Sequence, residues 1–455
     1  MNDARQLVYG RAPRPVRCGF GLEIGGGTVF PEVNFTLPAI EVSHANWAEI
    51  VAQYREMADA VLRRAVALAA PGIVLEFELL PAMTARPEWG GELTALLHDR
   101  LAEAAARHGL KCALRVTPVD IRDQTRPPVL RTDEPWENLR DCLERAIAAG
   151  ADIVSIESVG GKEVHDTALM YGDLRGIVLA LGVLAPRDTA WLWDRISELC
   201  RGSSAVPGGD SACGFANTAM QLAHQRMLPE VLAAVVRAMS AVRSLAAFEH
   251  GAIGPSKDCA YEGPVLKAVT GCPISMEGKS ATCAHFSPIG NVAAAMCDLW
   301  SNESVQNVRL LSGSAPEAYT ELLAYDCRLM NTAADKGQAL VLRDWLVESD
   351  EALSPQAAVL TPGATLRIAR AIVNADSDYR RTIAAGKAAA AELQERFRDG
   401  RLALGPKEKQ WLDRIDGALD GMPASEDELL SSLAQRYESA FDPPSYGMER
   451  PFSFR

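Results

Sequence analysis

What most constrains this 455-residue chain is an alternation. Helical stretches with apolar residues at 3.6-residue spacing, such as "WAEIVAQYREMADAVLRRAVALAA", take turns with short β-branched runs ended by Gly, Pro or acidic residues. Strands are predicted over residues 72–80, 111–119, 152–158, 203–209, 244–251, 273–278 and 307–313, and an eighth over 356–360. Helix-length connections are not hairpins; they carry the chain back to begin a parallel neighbour. The count predicts an α/β fold, a (β/α)8 TIM-type barrel, over an open doubly wound sheet, which has fewer strands and a nucleotide fingerprint after the first.

On either side the pattern changes. Residues 1–45, with "GFGLEIGGGTVFPEVNF", are rich in Gly and read as an N-terminal extension of loops and a short hairpin that covers something else. From about 365 only helical periodicity remains, marked by Leu366, Ile368 and Ile372, then Leu393 and Phe397, then Trp411, Leu412, Ile415 and Leu419. The expected division is therefore 1–45, a barrel over 46–364, and a helical region over 365–455 packed on the barrel or on a neighbouring chain.

Composition excludes several function classes. A net charge of −13 without a basic cluster argues against nucleic acid, whose phosphates need grouped Lys and Arg. No apolar run of membrane-spanning length is evident, and "MNDARQLVYGRAPRP" lacks the apolar core of a secretory signal, so the expected place is the cytoplasm. Ten scattered cysteines, none in a C-x-x-C pair, do not form a disulfide framework or a zinc ribbon. Nucleotide motifs fail on spacing: "GLEIGGG" is not G-x-G-x-x-G, and a phosphate loop ending at Gly278-Lys279-Ser280 would need glycine where Pro273 stands.

Barrel enzymes build their sites at the C-terminal ends of the strands, so residues there carry the argument. Glu157 follows the predicted strand 152–158 in "SIESVGGKEVHD", where pairing with Lys162 is the ordinary role for such a carboxylate. Cys213 in "GGDSACGFAN" falls in the first turn of a helix that Asp210 or Ser211 can cap, where the helix dipole lowers a thiol's pKa. Cys259 in "GPSKDCAYEGP" is presented from a loop punctuated on both sides. One carboxylate and two thiols are a three-ligand set for zinc that leaves a fourth position open, the arrangement of catalytic sites. Cys283 and His285 in "ATCAHFSP" are rival ligands at the same end, Cys272 is expected at the opposite end, and His165 and His250 are further strand-end candidates.

Taken together, "SIESVGGKEVHD", "GGDSACGFANTAMQLAHQ", "GPSKDCAYEGPVLKAVTGCPISMEGKSATCAHFSPIGN", "CDLWSNESVQNVRLLSG" and "YDCRLMNTA" closely resemble the zinc-dependent methanol:corrinoid methyltransferases. The resemblance is strongest from about 150 to 335. It implies a barrel, a zinc ion held by one glutamate and two cysteines at Glu157, Cys213 and Cys259, and transfer of the methyl group of methanol to Co(I) of a corrinoid on a separate protein. Lys257, Asp258 and Tyr261 beside Cys259 are the candidates to assist the leaving oxygen. None of the seven histidines lies in a D-x-H-x-x-G motif, so the corrinoid is expected from the partner chain, with a homodimer as the assembly. The competing readings are a relative that demethylates another small methoxy compound, a zinc hydrolase, disfavoured by two thiolate ligands, and a non-catalytic zinc-binding barrel.

Overall fold

The apolar runs of the sequence become strands whose two faces have different partners. In a computed structural model describing residues 1–37, 40–278, 288–305, 309–310 and 313–449, a hairpin of β1 (Arg11–Cys18) and β2 (Leu22–Gly26) precedes seven strands. These are β3 (Phe30–Thr36), β4 (Ile73–Glu78), β5 (Cys112–Thr117), β6 (Ile153–Ile156), β7 (Val206–Asp210), β8 (Ser275–Glu277) and β9 (Leu299–Val305). They form one parallel sheet in the order β7-β6-β5-β4-β3-β9-β8. Val33 and Phe35, Leu75 and Phe77, and Leu114 and Val116 join the large core shared with the helices. Their neighbours at period two turn inward.

The inward face is layered. Phe30, Val74, Ala113, Ile153, Val206 and Leu299 form a separate apolar cluster with Val16, Cys18, Leu22 and Ile24 of the hairpin, which thereby closes the N-terminal end of the sheet. Each buried Val, Leu, Ile or Phe in it contributes about 1.5–3 kcal/mol. Further along, the inward positions turn polar: Glu32, Glu76, Arg115, Ser155 and Ser275 are all fully buried. Arg115 holds Glu32 at 2.6 Å and donates to Ser155 at 2.8 Å, so the charge is paired rather than stranded. This polar interior is the floor beneath the candidate site.

The sheet curls but carries no ladder between β7 and β8 among the described residues. Residues 252–258 lie there instead: Ile253 N–H donates to Pro207 O at 2.8 Å, Arg115 donates to Pro255 O at 2.9 Å, and a Cβ on Gly254 would stand 2.7 Å from Pro273 O. The strand expected over 244–251 is absent because that stretch ends the helix Glu230–Glu249 and turns into this segment. An Ala-rich apolar run without β-branched residues reads equally as buried helix. Likewise 356–360 is helical, in Pro355–Leu360, with Ser354 Oγ accepting the Ala357 N–H and Pro355 at the first helical position. The first sheet strand, β3, falls inside the stretch read as an extension, and the strand expected over 307–313 is preceded by β9, which pairs with β3 along its whole length.

The C-terminal half of the core is helical. Glu230–Glu249 is long and apolar enough to cross a membrane by length and composition, yet it is almost wholly buried within the protein, packed by the helices Ala185–Cys200 and Asp378–Arg398.

Candidate metal centre

Three consecutive chain crossings deliver the ligands. Glu157 is the first residue after β6. Cys213 stands three residues beyond β7, where Ser211 Oγ accepts its N–H at 3.0 Å and a single wide turn, Cys213–Asn217, opens into the helix Thr218–His224. Cys259 ends the irregular segment between the sheet edges, its N–H bound by Asp258 Oδ1 at 2.8 Å. The ligand atoms of Glu157, Cys213 and Cys259 all lie within 4.8 Å of one another. At a Zn–S distance of about 2.3 Å, tetrahedral coordination separates two sulfurs by roughly 3.8 Å, so the set fits a zinc ion in both donor type and spacing. Asn217, one turn beyond Cys213, donates to its sulfur at 2.8 Å.

Cys259 is buried, whereas the Glu157 side chain is 31% exposed and lines a cavity of about 470 Å³ together with Ser211, Gly214, Phe215, Lys162 and Met170. Of the three, Glu157 is the one that lines this cavity, so the cluster meets it on the Glu157 side. The other side is charged. Lys257 is fully buried, with Nζ 2.5 Å from Glu78, 3.0 Å from Asp258 and 3.2 Å from Glu157, and it donates to Cys259 Sγ at 3.7 Å. Its neighbours Asp258, Cys259, Glu78 and Glu76 outweigh the effect of burial and hold the ammonium well above the usual lysine range. Burial would raise the Asp258 carboxyl, but the Lys257 charge and hydrogen bonds from Lys257 and Ser301 keep it down at about 2.

Several expectations change here. Lys162, offered as the partner of Glu157, pairs with Asp166; Lys257 takes that role. The Cys213 thiol is pushed well above its ordinary range rather than below it, by its hydrogen bond with Cys259, by burial and by the Cys259 and Glu157 charges. Close anionic neighbours outweigh the diffuse end of a helix, and a divalent cation among the same groups reverses that balance. Burial raises the Glu157 carboxyl, Lys257 opposes it and Glu78 reinforces it.

Of the rival ligands, His165 is buried against Phe215 and Asp166, His250 pairs with Asp194 at the end of a helix, and Cys272 precedes β8 at the far end of the sheet. Cys283 and His285 lie outside the described residues. The sequence reading missed Glu78 and Glu76, although acidic residues at alternate positions of "IVLEFE" are a signal for inward-facing carboxylates on a strand. It also missed Glu277 and Glu303, which form a second group with Cys259 whose ligand atoms lie within 4.8 Å.

Comparison with known proteins bears on the chain as a whole. Residues 1–447 match the family described as MtaB, methanol-cobalamin methyltransferase B subunit. The chain belongs to this family. A curated relative from Methanosarcina barkeri (strain Fusaro / DSM 804), a methanol–corrinoid protein co-methyltransferase, is 36% identical over 455 residues, spanning 98% of this chain and 97% of the relative. A chain in the crystal structure of the methanol:cobalamin methyltransferase complex MtaBC from Methanosarcina barkeri superposes with a TM-score of 0.94 at 35% identity, covering 98% of both chains. With 98% of both chains covered, the agreement extends through the C-terminal helices as well as the sheet.

Proposed function

We propose that this protein takes the methyl group of methanol and transfers it to the Co(I) corrinoid of a separate protein, using a zinc ion held by Glu157, Cys213 and Cys259. The observation that carries the reading is the convergence of those three ligand atoms beside an open cavity, in a chain that matches its methyltransferase relatives from end to end. Zinc in an open three-ligand site supplies Lewis acidity toward an alcohol oxygen. In the overall change the C–O bond breaks, the methyl carbon bonds to cobalt using the cobalt's electron pair, and the departing hydroxide takes a proton to become water.

The chain's own groups divide the remaining work. Two thiolates and a carboxylate give a divalent ion a net charge of about −1, and the fixed Lys257 ammonium offsets it from the buried side. Lys257 is also a proton-bearing group beside Glu157. Among the three candidates for assisting the leaving oxygen, Asp258 has Oδ1 bound to Lys257 and the Cys259 N–H and Oδ2 bound to Ser301, and Tyr261 lies beneath the Arg237 guanidinium at 4.9 Å. Lys257 is bound in turn by Glu78, Glu157 and Asp258, so the part we assign it is the fixed charge that offsets the ligand set. The corrinoid protein docks over the open side of the cavity.

The assembly we assign is a homodimer in the cytoplasm. Leu322, Tyr325, Leu329 and Trp345 expose apolar surface on the adjacent helices Ala315–Asp335 and Ala339–Asp350, the first three on one helical face. No described cysteine forms a disulfide, in keeping with a reducing compartment.

The test is direct. Purified protein should hold about one zinc per chain in this set, lose it in Cys213→Ala and Cys259→Ala, and form methylcobalamin from methanol and free reduced cobalamin. Full zinc content in both variants overturns the ligand set. Methylcobalamin from another methoxy compound but not from methanol overturns the substrate while leaving the chemistry.

A further inference from the structure

The loop that follows Glu157 has an unusual hydrogen-bond pattern. Four consecutive backbone N–H groups each donate to a side chain from a different part of the chain: Ser158 to Asp210 at 3.1 Å, Val159 to Asp120 at 3.1 Å, Gly160 to Asp188 at 3.1 Å, and Gly161 to the Tyr446 hydroxyl at 2.9 Å. Buried backbone donors must be satisfied, and here neither helix nor sheet does it. The three carboxylates are themselves held: Arg122 pairs with Asp120 at 2.7 Å and Asp188 at 2.9 Å, and Arg243 pairs with Asp210 at 2.8 Å. The loop backbone fits its acceptors closely. A Cβ on Gly160 would stand 2.2 Å from the Asp188 Cβ, and Gly161 has φ +80°.

Tyr446 differs from the other three acceptors. It is uncharged, and it arrives from the C-terminal turn Pro443–Tyr446, 285 residues away in sequence, with its ring buried against Phe441. The family match runs to residue 447, just past it. We propose that Tyr446 is a positioning residue for Glu157: the C-terminal turn latches the ligand loop and so sets how tightly the metal is held. The inference rests on the reading that Glu157 is a zinc ligand. Groups hydrogen-bonded directly to a metal ligand are worth about 10–100-fold in affinity, and Tyr446, which binds the loop backbone four residues past Glu157, belongs at the lower end of that range.

The experiment measures the zinc dissociation constant of the full-length protein by competition with a chromogenic chelator. Tyr446→Phe, folded by its cooperative unfolding transition, should weaken binding about tenfold. Tyr437→Phe, which removes a hydroxyl bonded to Asp173 elsewhere on the C-terminal region, should leave it unchanged. Because Tyr446 acts through Glu157, adding Tyr446→Phe to Glu157→Gln should cost nothing more. Wild-type affinity in Tyr446→Phe, equal weakening in Tyr437→Phe, or full additivity with Glu157→Gln overturns the latch. Wild-type affinity in Glu157→Gln instead brings down the ligand assignment itself, and the latch with it.

Discussion

At the scale of the residue, Lys257 is the densest point of the molecule's electrostatics. It faces Glu76, Glu78, Glu157 and Asp258, and both Glu76 and Asp258 are fully buried. Replacing one member of a buried ion pair leaves its partners uncompensated, so Lys257→Met should destabilise the metal-free protein by about 3–5 kcal/mol, read as a shift in the urea midpoint. Behind the cavity, against Phe215, His165 reports on pH. Its ring is fully buried, which pushes its pKa below 6.5 against the opposing hydrogen bond it makes to the Asp166 carboxylate. The unfolded chain therefore binds more protons than the folded one in the window below 6.5, and the contribution to stability is complete above 6.5 and is lost as pH falls toward the folded value. His165→Gln should show a shallower fall in urea midpoint than wild type between about pH 7.5 and 5.5.

At the scale of the element, Glu230–Glu249 shows why the C-terminal helices belong to the core. Gly386 on the helix Asp378–Arg398 sits where a Cβ would lie 3.1 Å from both Met239 and Leu419, so the crossing is close-packed there. Gly386→Leu should cost about 1–3 kcal/mol by overpacking, measured by denaturant unfolding. Removing residues 365–455 would uncover the face of the apolar helix that packs on Asp378–Arg398, and that truncated chain should appear in the insoluble fraction on expression. The same element explains one misplaced strand. Residues 244–249 carry an apolar run that suits a buried strand, and only packing on two sides made it the end of a buried helix.

At the scale of the whole molecule, the proposed homodimer would form through the exposed apolar face on Ala315–Asp335 and Ala339–Asp350. Leu329→Arg combined with Trp345→Arg should shift the protein from dimer to monomer in light scattering while preserving its circular dichroism. A dimer that survives both substitutions places the interface elsewhere.

The sequence by itself determined the alternation of strands and helices, the N-terminal hairpin and the helical C-terminus, and it offered Glu157, Cys213 and Cys259, which the fold brings together, beside the rivals Cys283 and His285. Each of these is a local signal: periodicity, a punctuated turn, or a reactive side chain at a strand end. Tertiary structure decided the rest. The stretch between β7 and β8 is irregular because Arg115 and Pro207 bind its backbone, which no local pattern encodes. Lys257 became the cation of a buried cluster, rather than a solvated loop lysine, because β4 and β6 bring Glu76, Glu78 and Glu157 to it from 181, 179 and 100 residues away. The raised Cys213 thiol and the four-acceptor clamp on residues 158–161 have the same origin. Burial and long-range charge exist only once the chain has closed on itself, so candidate ligands could be named from the sequence but what surrounds them could not.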